Sequence, residues 1–133
     1  MKTNYIYLII NEQHNLLPDQ ERLLKEEFPG AKIEKVLVPT EGWSIKEIQK
    51  KSEEIYQVAQ KNKGVIIMVS PVPAMIKYLS ERWYLQILIN EKNHMGFVWN
   101  PELLIFHNDH REKMELPNGR VIMTIAKTGW QLV

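Results

Sequence analysis

The sequence predicts an α/β fold: a single Rossmann-like domain over residues 1–133, with a mainly parallel sheet, flanking helices and a C-terminal β-hairpin. Three observations carry this. Apolar runs at 5–10, 33–38 and 65–69 are each followed by a polar loop and then by helical spacing, and a βαβαβα order predicts a parallel core with right-handed crossovers. The run 65–69, Val-Ile-Ile-Met-Val, has no polar position, so it suits a central strand covered on both faces. Beyond residue 90 the helical spacing stops, and Pro117-Asn118-Gly119 separates the arms 113–116 and 120–126. The Asn-Gly pair supplies the positive φ angles that a tight turn needs.

Strand 5–10 runs into the polar cluster Asn11, Glu12, Gln13, His14, Asn15. Pro18 and Asp19 open a helix over 18–28, with Leu23, Leu24 and Phe28 on its inner face, and Pro29-Gly30 ends it. After strand 33–38 comes the loop Pro39-Thr40-Glu41-Gly42-Trp43. Ser44 and Glu47 have capping-box spacing, and Ile45, Ile48, Ile55, Val58 and Ala59 form the buried face of a helix over 44–61. Ser70 is read as the cap of the third helix, with Pro73 in its first turn, where a missing N–H costs nothing. Met75, Ile76, Leu79 and Trp83 carry its helical spacing to about residue 89. Residues 95–99 suit a short strand or a packed loop, 103–107 a fourth strand and 130–133 an edge strand.

At 133 residues the chain can bury roughly two-thirds of its unfolded surface without staples. It has no cysteine, hence no disulfide framework, thiolate chemistry or cysteine zinc site. No apolar run approaches the roughly 20 residues that span a bilayer, and residues 1–11 show no cleavage-site pattern, so a soluble cytoplasmic protein is expected. Lys plus Arg number 17 and Asp plus Glu 16, a balance that gives no global field for a long nucleic acid. A nucleotide partner should be small and held locally.

Neither G-x-x-x-x-G-K-[ST] nor G-x-G-x-x-G occurs, which removes the Walker loop and the dinucleotide fingerprint. Polar clusters instead follow each of the first four strands: 11–15, 40–43, 70–74 and 107–111. In a parallel sheet these ends share one edge, where ligands sit and where a helix N-terminus offers free N–H groups. Polar loops are also simply solvated. For His107-Asn108-Asp109-His110-Arg111 three readings stand: a metal site, a strand end bonded locally, or ligand contact. The balance favours ligand contact, with His107 donating to phosphate or ribose, Asn108 reading a base edge and Arg111 pairing with phosphate. His14 and His94 are solvated loop residues unless a ligand recruits them. Lys127 beside Trp130 is suited to a phosphate and a stacked base, or else Trp130 packs the last strand.

Three stretches, IYLIINEQHNLLPDQ, GVIIMVSPVPAMIKYL and LLIFHNDHREKMELPNGRVIMTIAKTGWQLV, together resemble the small stand-alone CRISPR-associated proteins built on a CARF-like core. The resemblance rests on Asn11 at the first strand end, Gln20 in the first helix and the turn 116–119, and less on Arg111. At the central loop Ser70-Pro71-Val72-Pro73 stands where that group carries a glycine. It implies binding of a cyclic oligoadenylate second messenger of type III antiviral defence, cyclic tetra-adenylate first, across a homodimer or higher homo-oligomer, with no cofactor and no metal. It also implies removal of the messenger, either by a metal-independent ring nuclease or by sequestration. The alternative is a non-catalytic nucleotide-binding sensor or scaffold protein.

Ring cleavage needs a ribose 2′-hydroxyl aligned on phosphorus, a donor for the developing charge and a base. Arg111 or Lys127 suits the donor and His107 or His14 the base. His107 and Arg111 are the catalytic candidates, and Asn11, Gln13, His14, Ser70, Pro71, Ala74, Asn108 and Lys127 the ligand-binding ones.

Overall fold

A computed structural model describes residues 2–93, 96–108 and 111–133. The elements run β1 (Tyr5–Asn11), α1 (Pro18–Glu27), β2 (Lys32–Val38), α2 (Ile45–Lys61), β3 (Gly64–Met68), α3 (Pro73–Lys92), β4 (Leu103–His107), β5 (Arg111–Glu115), β6 (Val121–Ile125) and β7 (Gln131–Leu132). The main sheet has the order β2-β1-β3-β4-β7, and β5-β6 form a separate hairpin. The first four strands of the main sheet are mutually parallel, while β7 returns antiparallel along β4. The architecture is α/β and mainly parallel, with β3 in the middle of its five strands, as its wholly apolar sequence requires.

Alternation along β1 and β3 builds two cores. Ile6, Leu8, Val65 and Ile67 face α1, where Leu24 meets them, and Phe106 joins from β4. Tyr7, Ile9, Ile66 and Met68 face α2 and α3, meeting Ile48, Ile55, Tyr56, Ala59, Met75 and Leu79. A fully covered side chain such as Leu8 or Ile67 stabilises the fold by about 1.5–3 kcal/mol relative to exposure. Gly64 opens β3 because Tyr7 lies across it: a Cβ there would stand 2.6 Å from the Tyr7 ring.

The helix starts follow their local chemistry. Ser44 Oγ accepts the Glu47 N–H (3.2 Å) and Glu47 reaches back to Ser44, completing the capping box. Pro18 begins α1, and Gln20 Oε1 accepts the Leu17 N–H (3.0 Å), so the buried Gln20 closes its own helix end. Asp19 accepts the Trp130 N–H (3.1 Å) and pairs with Arg22 (2.7 Å), tying α1 to the chain entering β7. Arg22 first, and then the Trp130 N–H, holds the Asp19 carboxyl below the usual carboxylate range. Between α2 and α3 the Arg82 guanidinium lies 4.3 Å from the Tyr56 ring centroid, and burial pushes the Tyr56 hydroxyl up to about 12.

Of the two readings open for 95–99, the described part takes the packed loop. Trp99 Nε1–H donates to the Gly64 carbonyl (2.9 Å) and Asn100 Nδ2–H to the Trp83 carbonyl (3.1 Å), so this segment bonds to its surroundings without a ladder. Met95, with His94, lies outside the described residues. No helix among the described residues is long and apolar enough to cross a membrane.

Candidate functional site

The sheet register sets the site. Ile9 is level with Met68, and Met68 with Ile105. Two residues further on come Asn11, Ser70 and His107, a row of strand ends at the carboxyl edge of β1, β3 and β4, of which Asn11 and Ser70 touch. Alternation from Ile105 turns His107 toward the α2–α3 side of the sheet.

Within this row the contacts are specific. The Asn11 N–H donates to Ser70 Oγ (2.8 Å), and His14 Nδ1 lies 3.1 Å from the same oxygen. Asn11 Oδ1 accepts the Gln13 N–H (2.9 Å) and the Asn11 carbonyl accepts the His14 N–H (2.9 Å), a tight Asn-led turn that folds the imidazole back over Ser70. When Ser70 donates its hydroxyl proton to Nδ1, the ring proton resides on Nε2, a donor directed away from Ser70.

Ser70 is not the cap of the third helix. The N-cap is Val72, in extended conformation and without a side-chain cap, and Pro73 is the first helical residue. Pro71 and Pro73 hold the residues before them extended, so the helix cannot begin within capping reach of Ser70. The Ser70 hydroxyl, freed from that duty, joins the β1 and β3 loops. Pro71 is exposed, and Ala74 sits half-buried in the first turn of α3.

Removing that hydroxyl leaves the Asn11 N–H without its acceptor. Ser70→Ala is expected to destabilise the protein by about 0.5–1.5 kcal/mol, the net value of a typical hydrogen bond, since this one is half-buried. Urea denaturation measures this, and a cost near zero would show that solvent replaces Ser70.

Beyond β4 a second group gathers at the base of the hairpin. Asn108 Nδ2–H donates to the Thr128 carbonyl (2.8 Å), Arg111 Nη1–H to the Asn108 carbonyl (2.8 Å) and the Lys127 N–H to Glu112 Oε1 (3.0 Å). Arg111 and Lys127 thus stand at the feet of the two arms, while His107 pairs with Gln131 across β4 and β7. Asn108 is buried, and its amide fastens the chain after β6 to the end of β4, a structural task alongside the base reading expected of it. Asp109 and His110 lie outside the described residues, and among the described residues no three His, Asp or Glu side chains are grouped to hold a metal.

On the opposite flank Glu12 accepts from the Thr40 N–H (3.1 Å) and hydroxyl (2.9 Å), and the backbone bond first, then the hydroxyl, lowers its pKa. Glu12 thus stands beside β2, while Arg111 and Lys127 stand at the hairpin base beyond β4 with Glu112 between them. Sequence reading placed the clusters 11–15 and 40–43 on one edge, and adjacency of β1 and β2 is the added fact that pairs Glu12 with Thr40.

Trp130 takes the packing role. Its ring meets Phe106 edge-on at 6.3 Å, its Nε1–H donates to the Ala126 carbonyl (3.0 Å), and it lies half-buried against the α1-side core. Gln20 and the turn 116–119 likewise have structural duties, the turn closing through the Gly119 N–H on the Leu116 carbonyl (2.9 Å) with Gly119 at φ 80°. No protein-family model, curated protein or solved structure matches this chain.

Proposed function

We propose that the chain is a cytoplasmic, Rossmann-like, CARF-like protein that binds a cyclic oligoadenylate, cyclic tetra-adenylate first, and removes it from type III CRISPR signalling by cleavage or sequestration. One observation supports this above the others: Asn11, Ser70 and His107 follow adjacent parallel strands at one edge of the sheet, with Asn11 and His14 both on the Ser70 hydroxyl and Arg111 and Lys127 at the hairpin base beyond β4. That edge is where open α/β sheets take their ligands. A homodimer placing two such edges around one cyclic ligand would match its symmetry.

The cleavage consistent with these groups is internal transesterification. A ribose 2′-oxygen attacks the adjacent phosphorus, His107 or His14 takes its proton, the P–O5′ bond breaks, and a protonated imidazole returns a proton to the departing 5′-oxygen. The product is a linear oligoadenylate ending in a 2′,3′-cyclic phosphate. Arg111 or Lys127 balances the charge that develops on the phosphorane oxygens.

A melting-temperature screen over cyclic oligoadenylates of different ring sizes tests binding. A ligand present at 100 times its Kd stabilises by about 2.7 kcal/mol, which is read as a clear upward shift. Incubation with labelled ligand followed by chromatography then separates ring opening from sequestration. A shift with linear or mononucleotides and none with any ring would move the assignment to a nucleotide-binding sensor or scaffold. No shift with any nucleotide would remove the proposal.

A further inference from the structure

The hairpin β5-β6 is a sheet of two strands that pairs with no other strand among the described residues. Its two open edges differ in kind. β5 carries Arg111, Glu112, Lys113 and Glu115 in its five residues, the charged edge by which proteins discourage strand pairing. β6 reads Val-Ile-Met-Thr-Ile, uncharged and rich in strand formers, with Val121 57%, Met123 57% and Ile125 65% exposed. In a protein that keeps its edges closed, such a strand is covered.

The hydrogen-bond phase shows which groups are on offer. The Leu116 N–H donates to the Arg120 carbonyl (2.7 Å), so alternation makes Met114–Ile122 and Glu112–Thr124 the bonded pairs of the hairpin. The N–H and C=O groups of Val121, Met123 and Ile125 consequently point outward from β6.

We infer that β6 is an interface strand, pairing antiparallel with β6 of a second copy about a two-fold axis at Met123, so that the two hairpins form one four-stranded sheet. The strand is self-complementary in this register. Met123 faces Met123, Val121 faces Ile125, and Ile122 faces Thr124, so apolar side chains cover one another and no charge opposes a like charge. The outward N–H and C=O groups of all three odd-numbered residues find partners.

The ends are complementary in charge as well. Arg120 falls opposite Ala126 of the second copy, on the face that carries that copy's Glu112, whose carboxylate is already fixed by the Lys127 N–H. β5 has no equivalent option, because pairing about its centre would oppose two Lys113 ammonium groups. This pairing is independent of any ligand.

The chain contains no cysteine, so one introduced thiol reports the axis cleanly. In a bonded antiparallel pair the Cα atoms are about 5.5 Å apart, within the range that a disulfide spans. Light scattering of the ligand-free full chain is expected to give twice the chain mass. Under mild oxidation Met123→Cys should convert to a covalent dimer while Lys113→Cys stays monomeric on a denaturing gel. Met123→Lys should halve the scattering mass and leave the melting temperature of the main body in place. A wild-type chain that is monomeric up to high micromolar concentration overturns the inference. So does a dimer that survives Met123→Lys, or one in which Lys113→Cys links and Met123→Cys does not. Should Met123→Lys fail to fold, the two cysteine variants still decide the matter.

Discussion

Replacing Ile67 with alanine is expected to destabilise the protein by about 2–5 kcal/mol, the range for emptying a core position that cannot collapse. Ile67 is fully buried on β3, level with Leu8 on one side and Leu104 on the other. It packs in the core that includes Leu24 of α1 and Phe106 of β4. Strands on both flanks and a helix over the face leave little freedom to close the gap. Ile33 on the edge strand β2 is 42% exposed and serves as the control, where the same truncation should cost under about 1 kcal/mol. Urea unfolding monitored by circular dichroism measures both, with an unchanged m-value showing that the denatured state is not altered. Equal costs at the two positions would contradict a central, two-face-covered β3.

Arg111→Ala is expected to weaken cyclic tetra-adenylate binding by about 1.5–3 kcal/mol, the value of a hydrogen bond to a charged group. At about 1.4 kcal/mol per decade this is roughly a 10- to 150-fold rise in Kd. The bond from Nη1 to the Asn108 carbonyl orients the guanidinium at the foot of the hairpin. Lysine should rescue only in part, since an ammonium supplies the charge without the planar fork. Calorimetry at matched salt measures it, with a melting curve to confirm that the contact between β4 and β5 still forms. An unchanged Kd in a folded variant removes Arg111 from the site and leaves it a surface residue whose ion pairs contribute about 0–1 kcal/mol. If binding falls while cleavage per bound ligand holds constant, Arg111 binds and the chemistry passes to His107, His14 or alignment alone.

The surplus of tryptophan illustrates what a sequence hides. Trp43, Trp83, Trp99 and Trp130 look like more than one core of this size needs, which is a reason to expect them at an interface. In the fold Trp43 packs on the α2–α3 core and Trp130 on the α1 core, while the Trp99 indole holds the Gly64 carbonyl. Two cores and a long loop over the start of β3 absorb three of the four. The strand inferred to pair with a second copy is instead β6, which has no aromatic residue.

Local chemistry was legible wherever it acts over a few residues. The apolar run of β3 demanded a central position, Ser44 with Glu47 announced the start of α2, Pro18 and Pro73 announced those of α1 and α3, and Asn118-Gly119 announced the hairpin. The four strand-end clusters were visible too, because parallel order follows from alternating strands and helices. Which clusters touch was not visible. His14 meets Ser70 across 56 residues, and Asp19 meets the Trp130 N–H across 111. Such contacts depend on strand order and register, with β3 between β1 and β4 and β7 reversed beside β4. Register is settled when both faces of the sheet pack at once, since a slip of one residue would carry every side chain of a strand to the other core. The Ser70 hydroxyl is suited to a helix cap by its type alone. Only the level of β3 against β1, together with two prolines that delay the helix, gave it to Asn11 and His14.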